Sequence, residues 1–300
     1  MKKTSIGGQA VIEGVMMKGP EDIAIAVRKP DGEIALSKEK LKSSRKTISK
    51  IPIVRGVFAF VDALVIGVKA LSYSAEFFEE EEEDKDKKPS KLDDFLEKNM
   101  VAIAVFLSIL FSMGLFILLP TLVVNFIGGV SKSPLIMNMA EGLIRIAIFI
   151  GYIAAISGMK DIKRVFEYHG AEHKSIFCYE NGEELTVENV RKYKRLHPRC
   201  GTSFLFIVMI VSILLFSFFR WPNLLIRLVT RIALMPLVAG ISYEIIKWAG
   251  RSDSKLVCVV SAPGLWLQKI TTREPDDSQI EVAIEALKNV LVEDKEADLW

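Results

Sequence analysis

The chain contains three histidines, His169, His173 and His197, and all of them fall between Glu167 and Cys200. Cys200 itself stands three residues beyond the last. Imidazole and thiolate are the donors that suit borderline-soft divalent cations, zinc above all. The first pair belongs to the string His169-Gly170-Ala171-Glu172-His173. At about 100° per residue, His169, Glu172 and His173 share one sector of a helix. This H-x-x-E-H order is that of one class of zinc hydrolase, in which two imidazoles hold the ion and the carboxylate handles a proton of its bound water. The second pair, in His197-Pro198-Arg199-Cys200, offers a third ligand and a fourth.

Each of these residues also has a plainer reading. Ile162, Phe166, His169, His173 and Ile176 continue one helical stripe, so the imidazoles point toward packed structure, which also suits satisfied core histidines. Pro198 fits the first turn of a helix and would put Cys200 near its N-terminus beside Arg199, where a thiolate is favoured. The alternative for Cys200 is a small apolar residue where the chain enters a membrane. Glu172 is either a general base facing an open coordination position or a ligand that closes a structural site. Gly7, Gly8 and Gly14 bracket Gln9 and Glu13 in a glycine-containing block, which either presents those polar groups near the metal or forms a structural bulge or turn.

The elements that must position these groups are those of an α-helical integral membrane protein. Half of the residues are hydrophobic and the mean hydropathy is positive. A net charge of +2 implies no attraction to nucleic acid. Cys178, Cys200 and Cys258 are odd in number and far apart, so a disulfide framework is not expected and reduced thiols are. The start of the chain breaks at Glu13 and reads as no cleavable signal peptide.

About four transmembrane helices are expected: Asn99 to Ser131, Met139 to Met159, Gly201 to Phe219 and Leu224 to Trp248. Glu141 and Arg145 lie one turn apart in the second, where a mutual pair would lower the cost of their burial. Arg231 and Glu244 interrupt the fourth and are functional candidates by that same cost, with a structural pair as the alternative. The link between the second and third spans carries nine lysines and arginines, whereas Lys132 and Arg220 are the basic residues of the other two links. The positive-inside rule then sets residues 160–199, and both termini, in the cytosol of a multi-pass inner-membrane protein.

Outside the spans, residues 1–50 read as a β-rich segment, with a hairpin turning at Pro30-Asp31-Gly32 and a basic stretch from Lys38 to Lys50 that suits either an anionic membrane surface or a linker. Residues 51–75 read as an amphipathic helix, on the membrane or packed on the bundle, and 76–98 as a charged linker. The four-span domain occupies 99–250. In 251–300, Leu256 to Val260 and Leu265 to Ile270 read as strands about a turn at Ser261 to Gly264. A helix with a Ser278/Glu281 capping box follows. The two terminal regions are expected to pack into a small α+β cytoplasmic cap.

Four blocks carry a resemblance. They are Gly7 to Met17, Tyr168 to Lys174, His197 to Phe204 and Pro263 to Gln268, and together they resemble the signature blocks of the bacterial YqhQ family over essentially the whole chain. The resemblance implies a multi-span membrane protein and a metal-dependent enzyme, with a metal site at His169, His173, His197 and Cys200. It implies no substrate. Three function classes remain. A membrane-embedded metal-dependent hydrolase is favoured. A scaffold or partner-binding protein with a structural metal comes second, and a small transporter using the charges of spans two and four comes third. The bilayer is the expected partner, with a homo-oligomer or a membrane partner protein left open.

Overall fold

The computed structural model describes residues 3–41, 51–78, 91–126, 133–219, 223–251, 254–292 and 298. The Lys42 to Lys50 part of the basic stretch, the charged run from Glu79 to Pro89, Lys132 and Arg220 lie outside them.

The chain opens with a four-stranded antiparallel meander of β1 (Gly7–Val11), β2 (Gly14–Lys18), β3 (Asp22–Arg28) and β4 (Ile34–Lys40), in that spatial order. The expected turn at Pro30-Asp31-Gly32 joins β3 to β4, with Arg28 paired to Ile34. The glycine-containing block is itself a hairpin. It turns at Ile12 and Glu13, and Glu13 has a φ of 47°. Successive side chains of a strand face opposite sides, and both sides of this sheet are covered. Val15, Met17, Ala24 and Ala26 pack on Tyr168, Ala171, Ile280, Ala283 and Leu287, whereas Val11, Met16 and Val27 pack on Ala70 of the following helix.

That helix, α1 (Val54–Ala75), buries Gly56, Ala70 and Ser74 and leaves Val61, Leu64, Val65 and Leu71 exposed. Next come α2 (Lys91–Met113), a π-helical turn at Gly114–Leu118, and α3 (Leu119–Phe126), which run on without a break. They are followed by α4 (Pro134–Ile156), α5 (Lys160–Glu180), the short α6 (Val187–Arg191), α7 (Gly201–Ser217), α8 (Leu224–Arg251), α9 (Lys255–Thr271) and α10 (Asp277–Lys288). Among the described residues, three helical stretches are long and apolar enough to cross a membrane: Ala102–Phe126, Leu135–Ile156 and Leu225–Arg251. The third expected span forms α7, an apolar helix of 17 residues. A turn at Ser157 to Met159 separates α4 from α5, so the histidine stripe lies on a helix of its own.

Two expectations for the C-terminal region are corrected. The segment read as two strands about a turn is the single helix α9, with Pro263 inside it. Short apolar runs are ambiguous between strand and helix. Here Val257, Ser261, Gly264, Gln268 and Thr271, at spacings of four and three, form the buried face against α7. The capping box lies two residues earlier than expected: Asp276 Oδ1 accepts from the Gln279 amide and Gln279 Oε1 from the Asp276 amide, each at 2.9 Å. Ser278 instead donates to Asp276, and Glu281 pairs with Arg28.

The sheet, α5 and α10 form one body, and the chain leaving α9 crosses α5 at Gly170. A Cβ there would stand 2.0 Å from the Arg273 carbonyl oxygen. Gly170→Ala should therefore lower stability by about 1–3 kcal/mol or more, the cost of overpacking. Gly151→Ala on α4, where a Cβ meets nothing within 4 Å, should not. Thermal unfolding of the two variants checks this, and equal melting temperatures would contradict the close approach.

Candidate metal centre

α5 holds the first three candidates because their spacing puts them on one helical face, and the fold turns that face toward the start of α7. His169 Nε2 lies 3.1 Å from Cys200 Sγ. One ligand atom each from His169, His173 and Cys200 falls within 4.8 Å of the others. Glu172 stands beside them, its Oε2 3.9 Å from His169 Nε2 and 4.0 Å from His173 Nε2.

The far side of each ring is tied down. His169 Nδ1 donates to the Thr271 carbonyl at 2.8 Å, and His173 Nδ1 donates to the Arg195 carbonyl. These bonds select the tautomer that leaves each Nε2 lone pair facing inward, which is the usual outer support of a ligating imidazole. His173 Nε2 is buried without a hydrogen-bond partner among the described residues. The donor set and this buried, unused lone pair fit a divalent cation of zinc type.

Cys200 caps α7, taking the Thr202 amide at 3.5 Å and the Thr202 hydroxyl at 3.3 Å on its sulfur. Burial alone would raise its pKa, but the neighbouring His173 and His169 rings outweigh that and hold it well below the usual thiol value. Burial works against a charge on His169 too. There the Cys200 thiolate, with Glu172 and the Thr271 carbonyl, prevails and raises the pKa to about 9. Glu172 is raised, chiefly by burial. Its carboxyl receives the Gly8 amide. A Cβ on Gly8 would come within 2.9 Å of Glu172 Cγ and 2.6 Å of the Met16 carbonyl oxygen, so the glycine lets β1 press against α5 at the site.

His197 is brought next to the trio without joining it. Its ring centroid is 5.6 Å from that of His173, but its Nε2 faces Glu180 Oε2 at 3.6 Å. Glu180 also binds Arg199 and accepts from the Thr4 amide at 2.8 Å. The His197 backbone is clasped by Gln268, which receives its N–H at 2.7 Å and donates to its carbonyl at 2.8 Å. Burial lowers the His197 pKa. Glu180 is also lowered: its own burial opposes this but is outweighed by His197, Arg199 and the Thr4 amide.

The other candidates sit elsewhere. Glu13 pairs with Arg164 and accepts from Tyr168 at 3.2 Å, which docks the β1–β2 turn on α5. The Gln9 side chain lies against α1 at Gly67. Arg231 binds Glu141, and Glu244 binds Arg55, so the two are not each other's partners. Glu180 and Gln268 went unnoticed in the sequence. Glu180 had a signal, since it lies seven residues after His173 on the same stripe, whereas the Gln268 clasp is made across 71 residues.

These shifts favour the thiolate of Cys200 and, where no cation takes its Nε2, the protonated form of His169. Cys200 has a depressed folded pKa, so its contribution to stability is lost as pH falls through that value. His169 has a raised one, so its contribution is complete below about 6.5 and lost as pH rises through about 9. Between about 6.5 and 9 the rise of the thiolate contribution and the fall of the imidazolium contribution offset each other, so metal-free protein should hold the stability of this pair there and lose it toward acid, read as melting temperature against pH. In His169→Gln the Cys200 thiolate should form at higher pH, read by ultraviolet thiolate absorbance. Unchanged titration in that variant would refute the pairing.

The family model described as Protein of unknown function (DUF1385) matches residues 51–293, which include the helices and the whole His/Cys group. The chain is 39% identical over 298 residues to the Uncharacterized protein YqhQ of Bacillus subtilis (strain 168), a match that covers 95% of this chain and 92% of that protein. No solved structure matches it. Both similarities run over most of the chain, and the protein belongs to the DUF1385 family, the family of YqhQ.

Proposed function

We propose that the protein is a four-span membrane protein that binds a divalent metal, zinc by the softness of its donors, at His169, His173 and Cys200, and acts as a metal-dependent hydrolase. The observation that carries this is the convergence of three ligand atoms within 4.8 Å with the Glu172 carboxyl alongside. Three protein donors leave a fourth position, the pattern of catalytic zinc sites. A zinc ion bound there supplies Lewis acidity and a water acidified to near neutral pH. The chain's own part is then proton handling and exclusion of bulk water. Glu172 has the raised pKa of a general base or acid, and Gly8 fixes its carboxyl through the backbone amide. His197 and Glu180 act at a remove, by holding the segment that carries Cys200.

The topology follows from connectivity and charge. α7 begins at the Cys200 cap, and the carbonyls at its other end, of Phe216 and Phe219, accept from Asn138 in the second turn of α4 at 3.0 and 3.2 Å. It therefore runs between the same two levels as α4, although its length of roughly 26 Å falls short of the ~30 Å hydrocarbon core. The basic 160–199 link puts the sheet, α5 and α10 in the cytosol of an inner membrane, with both termini. Reporter fusions after Lys132 and Arg220 should behave as external and those after Glu183 as internal. The reverse pattern would refute this orientation.

A closed structural site is the second reading, favoured by Glu172 and His173 being only 4% and 1% exposed. One variant decides between them. If Glu172 is the proton carrier, Glu172→Gln keeps stoichiometric zinc and the melting temperature, while hydrolysis of a responsive substrate falls by about 10²–10⁴. If it is a ligand, the same change loosens zinc and lowers the melting temperature, because metal-binding energy is folding energy. His173→Ala should abolish stoichiometric metal under either reading, and full retention there would refute the site.

A further inference from the structure

A second polar centre lies within the membrane helices, toward the end of the bundle away from Cys200. From Asn99 to Met159 and from Gly201 to Tyr243, Glu141 is the only carboxylate in the sequence. Arg145, Arg227 and Arg231 all bind it. Glu141 Oε1 takes Arg145 Nη2 at 2.9 Å, the Thr121 hydroxyl at 3.0 Å and Arg231 Nη1, while Oε2 takes Arg227 Nη2. The Glu141 side chain is fully buried, and those of Arg145, Arg227 and Arg231 are 11%, 12% and 4% exposed.

The charges do not balance. Arginine keeps its charge in proteins, so three guanidinium groups on one carboxylate leave two positive charges in an apolar setting, where each uncompensated charge is costly. Neutral neighbours cannot cancel that excess. Arg145 Nε donates to the Phe116 carbonyl at 2.7 Å, within the π-helical turn, and Arg227 Nη2 donates to Asn138 Oδ1 at 3.3 Å. Arg227 Nε is buried and meets no acceptor among the described residues. Beside it lies a cavity of about 250 Å³, lined by Arg227, Arg231 and Thr121 together with Leu110, Ile117 and Leu228.

We propose that this cluster is an anion-binding site whose ligand is a phosphate-bearing group taken into the cavity against Arg227 and Arg231. Guanidinium forks match phosphate oxygens in geometry and charge. The volume is below that of a pocket for drug-sized molecules, so it suits a phosphate with small substituents. The apolar lining fits the phosphate of a lipid headgroup, and the same chemistry would admit the free ion. This site is separate from the His/Cys group and does not depend on what that group does.

The test is anion-dependent stabilisation of the full chain. Melting temperature is measured in nanodiscs of phosphatidylcholine with increasing phosphatidylglycerol. It is measured again in neutral detergent with inorganic phosphate against sodium chloride of equal ionic strength. Wild-type protein should be stabilised in a saturable way. A response to phosphatidylglycerol alone assigns a lipid headgroup, and a response to inorganic phosphate assigns the free ion. Arg227→Gln should weaken the apparent affinity at least tenfold. Gly114→Leu retains every charge and fills the cavity from a position where a Cβ meets nothing within 4 Å. It should weaken binding equally, and it decides the matter if Arg227→Gln fails to fold. No anion-specific stabilisation of wild type, or undiminished affinity in Gly114→Leu, would overturn the proposal.

Discussion

The contact at Gly170 sets the geometry of the body formed by the sheet, α5 and α10. Backbone meets backbone there: the Arg273 amide donates to the Phe166 carbonyl at 2.8 Å, and the Arg273 carbonyl fills the space a side chain on Gly170 would need. That approach fixes the end of α9 against α5, which delivers the Thr271 carbonyl to His169 and lets Gln268 clasp His197. The clasp in turn holds the segment leading to Cys200. Gly8 makes a comparable approach from the sheet and delivers a backbone amide to Glu172. Two glycines thus admit the supports of a site to which they contribute no side chain.

Burial and charge are handled differently at the two polar centres. At the His/Cys group, the thiolate and imidazolium offset each other, and the outer ring nitrogens end on carbonyl oxygens. Hydrogen bonding to a fixed backbone holds the rings without adding charge, so their inner nitrogens stay available to a cation. Among the long apolar helices, one carboxylate faces three guanidinium groups, and a carbonyl, a hydroxyl and an amide complete the shell. The first centre gathers ligand atoms of a kind that suits a cation, whereas the second gathers three guanidinium groups around one carboxylate.

Much was legible in the residues. Helical spacing placed His169, Glu172 and His173 on one face, and the paucity of charge marked the long apolar helices, because both patterns reflect local geometry and solvation. The pairing of Glu141 with Arg145 was readable as one turn of helix, but Arg227 and Arg231 joined it from 86 and 90 residues away. The hairpin at Pro30-Asp31-Gly32 was readable from turn chemistry. Lys255 to Thr271 was not, because Pro263-Gly264 reads locally as a turn. Packing against α7 instead favoured one continuous helix with Ser203 against Gly264.

The sequence by itself determined which residues could bind a metal, that long stretches are strongly apolar, and where α7 and α8 begin. Those properties depend on side-chain chemistry and on separations of a few residues. Only the tertiary structure decided that Cys200 completes the trio while His197 turns to Glu180. Both lie in one tetrapeptide, and the choice between them rests on where α7 starts and on the grip of Gln268 on the His197 backbone. Such long-range contacts have no periodicity to read, since they are set by how separately folded elements pack.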